Sequence, residues 1–243
     1  MSENGKTSAL VRSDSAARRA GQEVALVIPI YNEGPVITEV LQEAKKTFPH
    51  LICVDDGSSD DSAALARGAG ATVLTHAINL GQGAALQTGI TYFLQNTDLP
   101  YAATFDADGQ HQTDDVVSMW NRAKTDQLDI IFGSRFLSEK QEMGTAKRIV
   151  LKTAAWATAR TTHMLLTDAH NGLRLLSRRA AGTLNLKQNR MAHASEIVAQ
   201  LGKSGLPWAE MPVHIRYTDY SKAKGQSLWN SINIVMDLVM GVR

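Results

Sequence analysis

One cysteine in 243 residues excludes an internal disulfide, because a bridge needs two thiols. Cys53 lies inside the apolar run Leu51-Ile52-Cys53-Val54 and reads as a small core residue, in keeping with a reducing compartment. Charge of one sign is lacking too: 25 Lys and Arg stand against 24 Asp and Glu. No global field therefore draws the chain to nucleic acid, and any phosphate recognition must be local. Residues 1–22 mix Ser, Ala, Arg and Gly without an apolar run, so the secretory h-region is missing, and Glu3 and Asp14 speak against a transit peptide. The reading is a disordered tail on a cytoplasmic protein. Long apolar runs are absent as well. Leu228 to Val242 is apolar-rich, but Asn230, Asn233 and Asp237 interrupt it, and it is shorter than the roughly 20 residues that cross a bilayer.

What is present is an alternation of short apolar runs with helical patterns. Val24 to Ile28 is stopped by Pro29, and Val36, Ile37, Val40, Leu41 and Ala44 then recur at helical spacing. Leu51 to Val54 leads through an Asp-rich turn into a helix candidate from Asp61 to Gly68. Ala71 to Thr75 leads through Asn79-Leu80-Gly81-Gln82-Gly83 into a third helix, from about Ala84 to Gln95. Tyr101 to Phe105 and Leu128 to Phe132 are the fourth and fifth strand candidates. Such alternation predicts βαβ units, hence an α/β domain with a mostly parallel central sheet and helices on both faces. A chain of this length suits a single such domain. Ligands of open α/β sheets bind outside the carboxyl ends of the strands, where every polar cluster of this sequence falls.

Asp106-Ala107-Asp108-Gly109-Gln110 directly follows the fourth run. Two carboxylates separated by one residue, with an amide oxygen two further on, can ligate one hard cation such as Mg²⁺ or Mn²⁺ and leave positions for a diphosphate. An Asp-rich turn is the plainer alternative. Asp55 to Asp60 supplies carboxylates for a base or ribose, or a cap for the helix behind it; Asp60 can cap while Asp56 reaches a ligand. Core packing is the better reading of Tyr31 alone. Gly81, in the Asn79–Gly83 loop, permits close backbone approach to phosphate at a helix start, and a plain loop explains it equally. His193 and Glu196 stand three apart on one helical face, as an acceptor base with its partner or as a solvated or capping pair.

Taken in order, Val27-Ile28-Pro29-Ile30-Tyr31-Asn32-Glu33, Val54 to Asp60, Asn79 to Ala85, Asp106 to Gln110 and Gly133-Ser134-Arg135-Phe136 resemble family 2 glycosyltransferases of the GT-A fold. Within that family they are most similar to the branch of dolichol-phosphate mannose synthases and bacterial polyprenyl-phosphate sugar transferases. The resemblance spans about residues 24–225 and implies a hexosyltransferase using a nucleotide-sugar donor. It implies that Pro29, Tyr31, Glu33 and Asp56 hold the nucleotide, and that Asp106, Asp108 and Gln110 ligate Mg²⁺ or Mn²⁺. Arg135 would then face phosphate, with Arg148 a further basic residue of that branch, and Arg216 and Lys222 would close over donor and acceptor phosphates. Asp168 and Arg174 fall in a segment matching the family's acceptor region, where Leu173 replaces the usual Phe and Asn171 stands where Ser or Thr is common.

The chemistry expected from that resemblance is inverting, in-line transfer, with negative charge growing on the leaving nucleoside diphosphate. A lipid-phosphate acceptor, polyprenyl or dolichyl, is the leading expectation. The alternative is a saccharide hydroxyl in surface-polysaccharide assembly, which needs a base such as Asp168, His170, His193 or Glu196. A non-catalytic nucleotide-sugar-binding protein is the outlying one. The expected layout is a tail over 1–22, a catalytic domain over 23–225 and an apolar, amphipathic helix over 226–243. That helix would dock on the cytoplasmic membrane face, on a membrane-protein partner or on a second copy as a homodimer.

Overall fold

The computed structural model describes residues 14–137, 164–188 and 192–216. Arg148, Lys222 and the expected helix over 226–243 lie outside these residues. Residues 14–23 form a helix, α1, whose Ala20 is fully buried in the core. Residues 14–22 are thus helical where a disordered tail was expected, with Ala20 packed into the core, a contact invisible to composition.

The order then runs β1 (Val24–Ile30), α2 (Gly34–Lys45), β2 (Leu51–Asp55), α3 (Ser62–Gly68), β3 (Thr72–Thr75), α4 (Gln82–Asn96), β4 (Tyr101–Thr104), α5 (Thr113–Asp126), β5 (Ile130–Ser134), β6 (Arg174–Ser177), α6 (Arg178–Ala181), α7 (Ala192–Lys203) and β7 (Trp208–Pro212). The seven strands form one sheet in the order β3-β2-β1-β4-β6-β5-β7. Pairings β1 with β2, β1 with β4, β2 with β3 and β5 with β7 are parallel, whereas β6 is antiparallel to both β4 and β5. The expected mostly parallel α/β sheet is present.

Alternation along β1 explains the layers. Val24, Leu26, Ile28 and Ile30 enter one core with Ile37 and Leu41 of α2 and Met119 and Trp120 of α5. Ala25 and Val27 enter the other with Leu86, Ile90 and Phe93 of α4 and Ile197, Val198 and Leu201 of α7. A strand buried on both faces reads as a continuous apolar run, which is why β1 and β2 were visible in the sequence. Each fully buried large aliphatic or aromatic side chain contributes roughly 1.5–3 kcal/mol. Gly89 sets the spacing of α4 on the sheet: a Cβ there would lie 2.4 Å from Val27 Cγ1.

The reversal of β6 matters for function. Arg174 opens β6 opposite Thr104, the last residue of β4, and opposite Phe132 of β5. The loop before β6 therefore arrives at the same sheet edge at which β1, β2, β4 and β5 end.

Candidate active site at the carboxyl edge of the sheet

Four turns build the floor. Asn32, at the end of β1, sits at φ 54°; its backbone N–H donates to Ser58 Oγ at 2.9 Å, and its Oδ1 accepts from Ser59 N at 2.9 Å. Asp60 accepts from Gly34 N at 3.0 Å and Ser62 N at 3.0 Å, so it ties together the starts of α2 and α3, a wider role than the single cap expected. Tyr31 points outward, 46 % exposed, against the core packing read from the residue alone and in keeping with the nucleotide contact that the resemblance implies, while Glu33 is buried. Pro29 pairs with Val54 in the parallel ladder and fixes the exit of β1 beside the Asp-rich turn.

Asp56 organises the second turn and the loop before α4. Its Oδ1 accepts from Leu80 N at 2.9 Å, its Oδ2 from Gly81 N at 2.7 Å, and His76 Nδ1 lies 2.7 Å from Oδ1. The far nitrogen of His76 is 2.9 Å from Thr88 Oγ1 on α4. Gly81 precedes α4 at φ 96°, a left-handed conformation that favours glycine. Asp56 is thus committed first to shaping the loop around Gly81.

Asp106 and Asp108 follow β4. Asp106 Oδ2 lies 2.9 Å from His111 Nε2, and its Oδ1 accepts from Gln82 Nε2 at 3.2 Å. Burial by itself would raise the Asp106 carboxyl, but the bond and charge of His111, with Arg174 and His193, bring it below its ordinary value. Burial, and then the Asp106 charge, push Asp108 above its own. Asp108 Oδ1 accepts from the Gln110 backbone N–H at 3.0 Å. Two carboxylates two residues apart, one raised by the other, form an oxygen donor set that a divalent cation would stabilise. Among the described residues no cluster of three His, Cys, Asp or Glu has metal-binding geometry, so a cation here would rely on the Gln110 amide and on substrate oxygens.

The loop before β6 closes the site from the other side. A Cβ on Gly172 would lie 2.0 Å from Asp106 Oδ2, so glycine is what lets this backbone approach the carboxylate. Thr104 Oγ1 donates to Gly172 O at 2.5 Å. Arg174 is buried, with Nη1 3.4 Å from Gly172 O, Nη2 3.5 Å from Ala169 O, and Nε without a partner among the described residues. Burial outweighs the opposing charges of Asp106 and Asp168 and brings the Arg174 guanidinium down to about 10, still protonated at neutral pH.

Asp168 is paired rather than poised. Arg135 Nε donates to its Oδ2 at 2.7 Å and Nη2 to its Oδ1 at 2.8 Å, and the Arg135 backbone N–H adds a third bond at 3.1 Å. Burial opposes ionisation of Asp168, but these Arg135 bonds and charge prevail and hold the carboxyl below its usual value. After β7, Arg216 N donates to Gln110 O at 2.9 Å, and His214 N donates to Asp115 Oδ2 at 2.8 Å. Arg216 is thereby anchored beside the Asp106–Gln110 turn. His193 is buried on α7 and acts electrostatically on Asp106. Glu196 instead accepts the backbone N–H groups of Lys187 at 3.0 Å and Gln188 at 2.8 Å. The two therefore do not form an acceptor base and partner: Glu196 caps a loop, in keeping with the capping alternative, while His193 lies toward Asp106.

Asp56, Gly81, Asp106, Asp108, Gln110, Arg135, Asp168, Arg174 and Arg216 therefore gather at one edge. His111 and Gln82 were not anticipated; the signal available for His111 was its position directly after Gln110.

Comparison with known proteins bears on the family and the fold. The model for glycosyl transferase family 2 matches residues 25–184. An uncharacterized protein of Methanocaldococcus jannaschii is 34 % identical over 223 residues, covering 90 % of this chain and 91 % of the relative. A UDP-N-acetylglucosamine–dolichyl-phosphate N-acetylglucosaminyltransferase of Methanococcus voltae is 28 % identical, covering 91 % and 96 %. A dolichyl-phosphate beta-glucosyltransferase of Trichomonas vaginalis is 26 % identical, covering 89 % and 72 %. Among solved structures, glucosyl-3-phosphoglycerate synthase of Mycobacterium tuberculosis shares the fold at TM-score 0.59 and 16 % identity, covering 84 % of this chain and 76 % of that one. That synthase has been crystallised with Mn²⁺ and UDP-glucose and with Mg²⁺ and UDP.

Proposed function

Since the chain belongs to glycosyl transferase family 2 and is a glycosyltransferase of the GT-A fold, we propose that it moves a hexose from a UDP- or GDP-sugar to a polyprenyl or dolichyl phosphate, with inversion and with a divalent cation. The observation that carries the acceptor is the state of Asp168. A saccharide hydroxyl must lose a proton and needs a base; of the four candidates, Asp168 is held bidentately by Arg135 with its basicity lowered, Glu196 is taken up by the Lys187 and Gln188 backbone, burial lowers the basicity of His170, and His193 is buried beside Asp106. A phosphate monoester is already ionised at neutral pH and needs none. The dolichyl-phosphate transferases of Methanococcus voltae and Trichomonas vaginalis, aligned over most of this chain, support the same acceptor class.

Asp106, Asp108 and Gln110 would hold Mg²⁺ or Mn²⁺, as the raised Asp108 and the all-oxygen donor set favour. The bound ion would supply positive charge where the nucleoside diphosphate leaves. The protein's own groups do the remainder. The Asp56-anchored loop, with no side chain at Gly81, would let the donor approach the start of α4. Arg135, held in place by Asp168, and Arg216, whose backbone is tied to Gln110, would supply positive charge toward the two phosphates, with Lys222 and Arg148 given the same role from the family resemblance. Charge fixed in advance costs no reorganisation during reaction, which is why it lowers the barrier. Buried Arg174 stays cationic between Asp106 and Asp168. No helix of the described residues is long and apolar enough to cross a membrane, and the lipid acceptor would be met at a membrane surface, with residues 226–243 as the contact.

The test is a panel of UDP- and GDP-hexoses incubated with polyprenyl phosphate at fixed Mg²⁺. An acid-labile, solvent-extractable glycolipid is expected. Transfer confined to free saccharides would replace the lipid acceptor with a hydroxyl one.

A further inference from the structure

We infer that His111 is a positioning residue for Asp106, and that it sets the affinity of the Asp106–Asp108 pair for a divalent cation. This rests on the cation site proposed above and extends it to a residue outside the donor set.

The ring of His111 is almost wholly enclosed and stands edge-on to Phe105, with centroids 5.5 Å apart and planes at 65°. Its Nε2 lies 2.9 Å from Asp106 Oδ2, and its Nδ1 has no partner among the described residues. A buried polar atom without a partner costs stability. Packing therefore does not account for histidine here, since leucine or phenylalanine would fill the same space without the orphaned nitrogen. What histidine supplies, and leucine or phenylalanine does not, is one N–H aimed at Asp106.

The surroundings show what that donor achieves. Asp106 is held on its Oδ2 side by His111 and by the backbone at Gly172, where a Cβ would come within 2.0 Å, and on its Oδ1 side by Gln82 at 3.2 Å. The carboxylate can neither swing toward the β6 loop nor rotate freely about its last bond. Ligating carboxylates in metal sites are oriented by such outer partners, and losing one weakens metal binding by roughly 10- to 100-fold. Gln82 opens α4 directly after Gly81 of the loop that Asp56 anchors, so the clamp also joins the donor-side loop to the cation site.

The test is Mn²⁺ binding to the full chain with and without UDP, read as loss of the free-ion electron paramagnetic resonance signal, for wild type, His111→Leu, His111→Gln and His111→Asn. Glutamine can place an amide nitrogen where Nε2 stands; asparagine reaches only as far as Nδ1. His111→Leu and His111→Asn are expected to weaken Mn²⁺ binding about tenfold or more, with His111→Gln within about threefold of wild type. Circular dichroism melting establishes that the variants are folded, and the Gln–Asn comparison stands alone should the Leu variant unfold. Equal Mn²⁺ affinity in wild type and His111→Asn, or equal loss in Gln and Asn, overturns the positioning role. Absence of Mn²⁺ binding by wild type itself, with and without UDP, overturns the cation site and this inference with it.

Discussion

At the scale of single residues, the site is governed by which carboxylates are committed and which are exposed to their neighbours' charge. Asp108 is raised by burial and by Asp106, so Asp108→Asn removes a like-charge conflict while removing a ligand. The metal-free variant is expected to melt higher than wild type by calorimetry, and its kcat to fall by about 10²-fold or more. Asp168 presents the opposite case. Its folded carboxyl lies below its unfolded value of about 3.9, so its stabilising contribution is complete above that value and is lost as pH falls through the folded one. Urea unfolding at a series of acidic pH values should show this loss in wild type and a flatter profile in Asp168→Asn. Arg135→Ala strands the buried Asp168 charge. Breaking a fully buried pair costs roughly 3–5 kcal/mol; Arg135 is about a third exposed, and solvent screening brings the expected loss to about 2 kcal/mol, measurable in the same urea experiment at neutral pH. Legibility at this scale followed motif density. Asp106, Asp108 and Gln110 were singled out because their spacing falls within an ordered series of family motifs, whereas the commitment of Asp168 to Arg135, 33 positions earlier, depends on two loops meeting in space.

At the scale of elements, helix-to-sheet packing converts sequence period into geometry. The β1–α2, β2–α3 and β3–α4 units were readable because apolar runs, turn residues and helical spacing follow one another without a break. Strand β6 was not. Arg174-Leu175-Leu176-Ser177 is four residues long, begins with a buried arginine, and is defined by antiparallel pairing with β4, some 70 residues earlier. Helix α1 was missed for a related reason, since its buried Ala20 matters only once β1 and the α2–β2 turn are in place. Helix α4 is the element most sensitive to small changes. Gly89→Ala would drive a Cβ into Val27 and should cost about 1–3 kcal/mol as overpacking, read from denaturant midpoints. On β2, burial pushes the Cys53 thiol up to about 12. Alkylation at pH 8 should therefore be undetectable in native protein and rapid in urea; rapid labelling of native protein would contradict the packing of β2.

At the scale of the whole molecule, one topological fact makes a site from distant motifs. A reversed β6 between β4 and β5 brings the Asp168–Arg174 loop to the edge where the parallel strands end, and the chain after β7 carries Arg216 to Gln110. The residues proposed to serve donor and acceptor thus share one sheet edge, as the proposed in-line transfer between two anionic substrates would require. The sequence resemblance anticipated this co-location without showing its cause. The fold does not name the acceptor; the paired state of Asp168 supports the proposed lipid phosphate, a nucleophile that is already ionised. The most direct measurement follows the acceptor phosphorus itself. Purified chain, Mg²⁺, a UDP- or GDP-hexose and polyprenyl phosphate are observed by ³¹P NMR. The account predicts that the phosphomonoester resonance of the lipid is replaced by a phosphodiester resonance as nucleoside diphosphate appears, and that EDTA stops both. A monoester resonance that persists while the donor is consumed would contradict it.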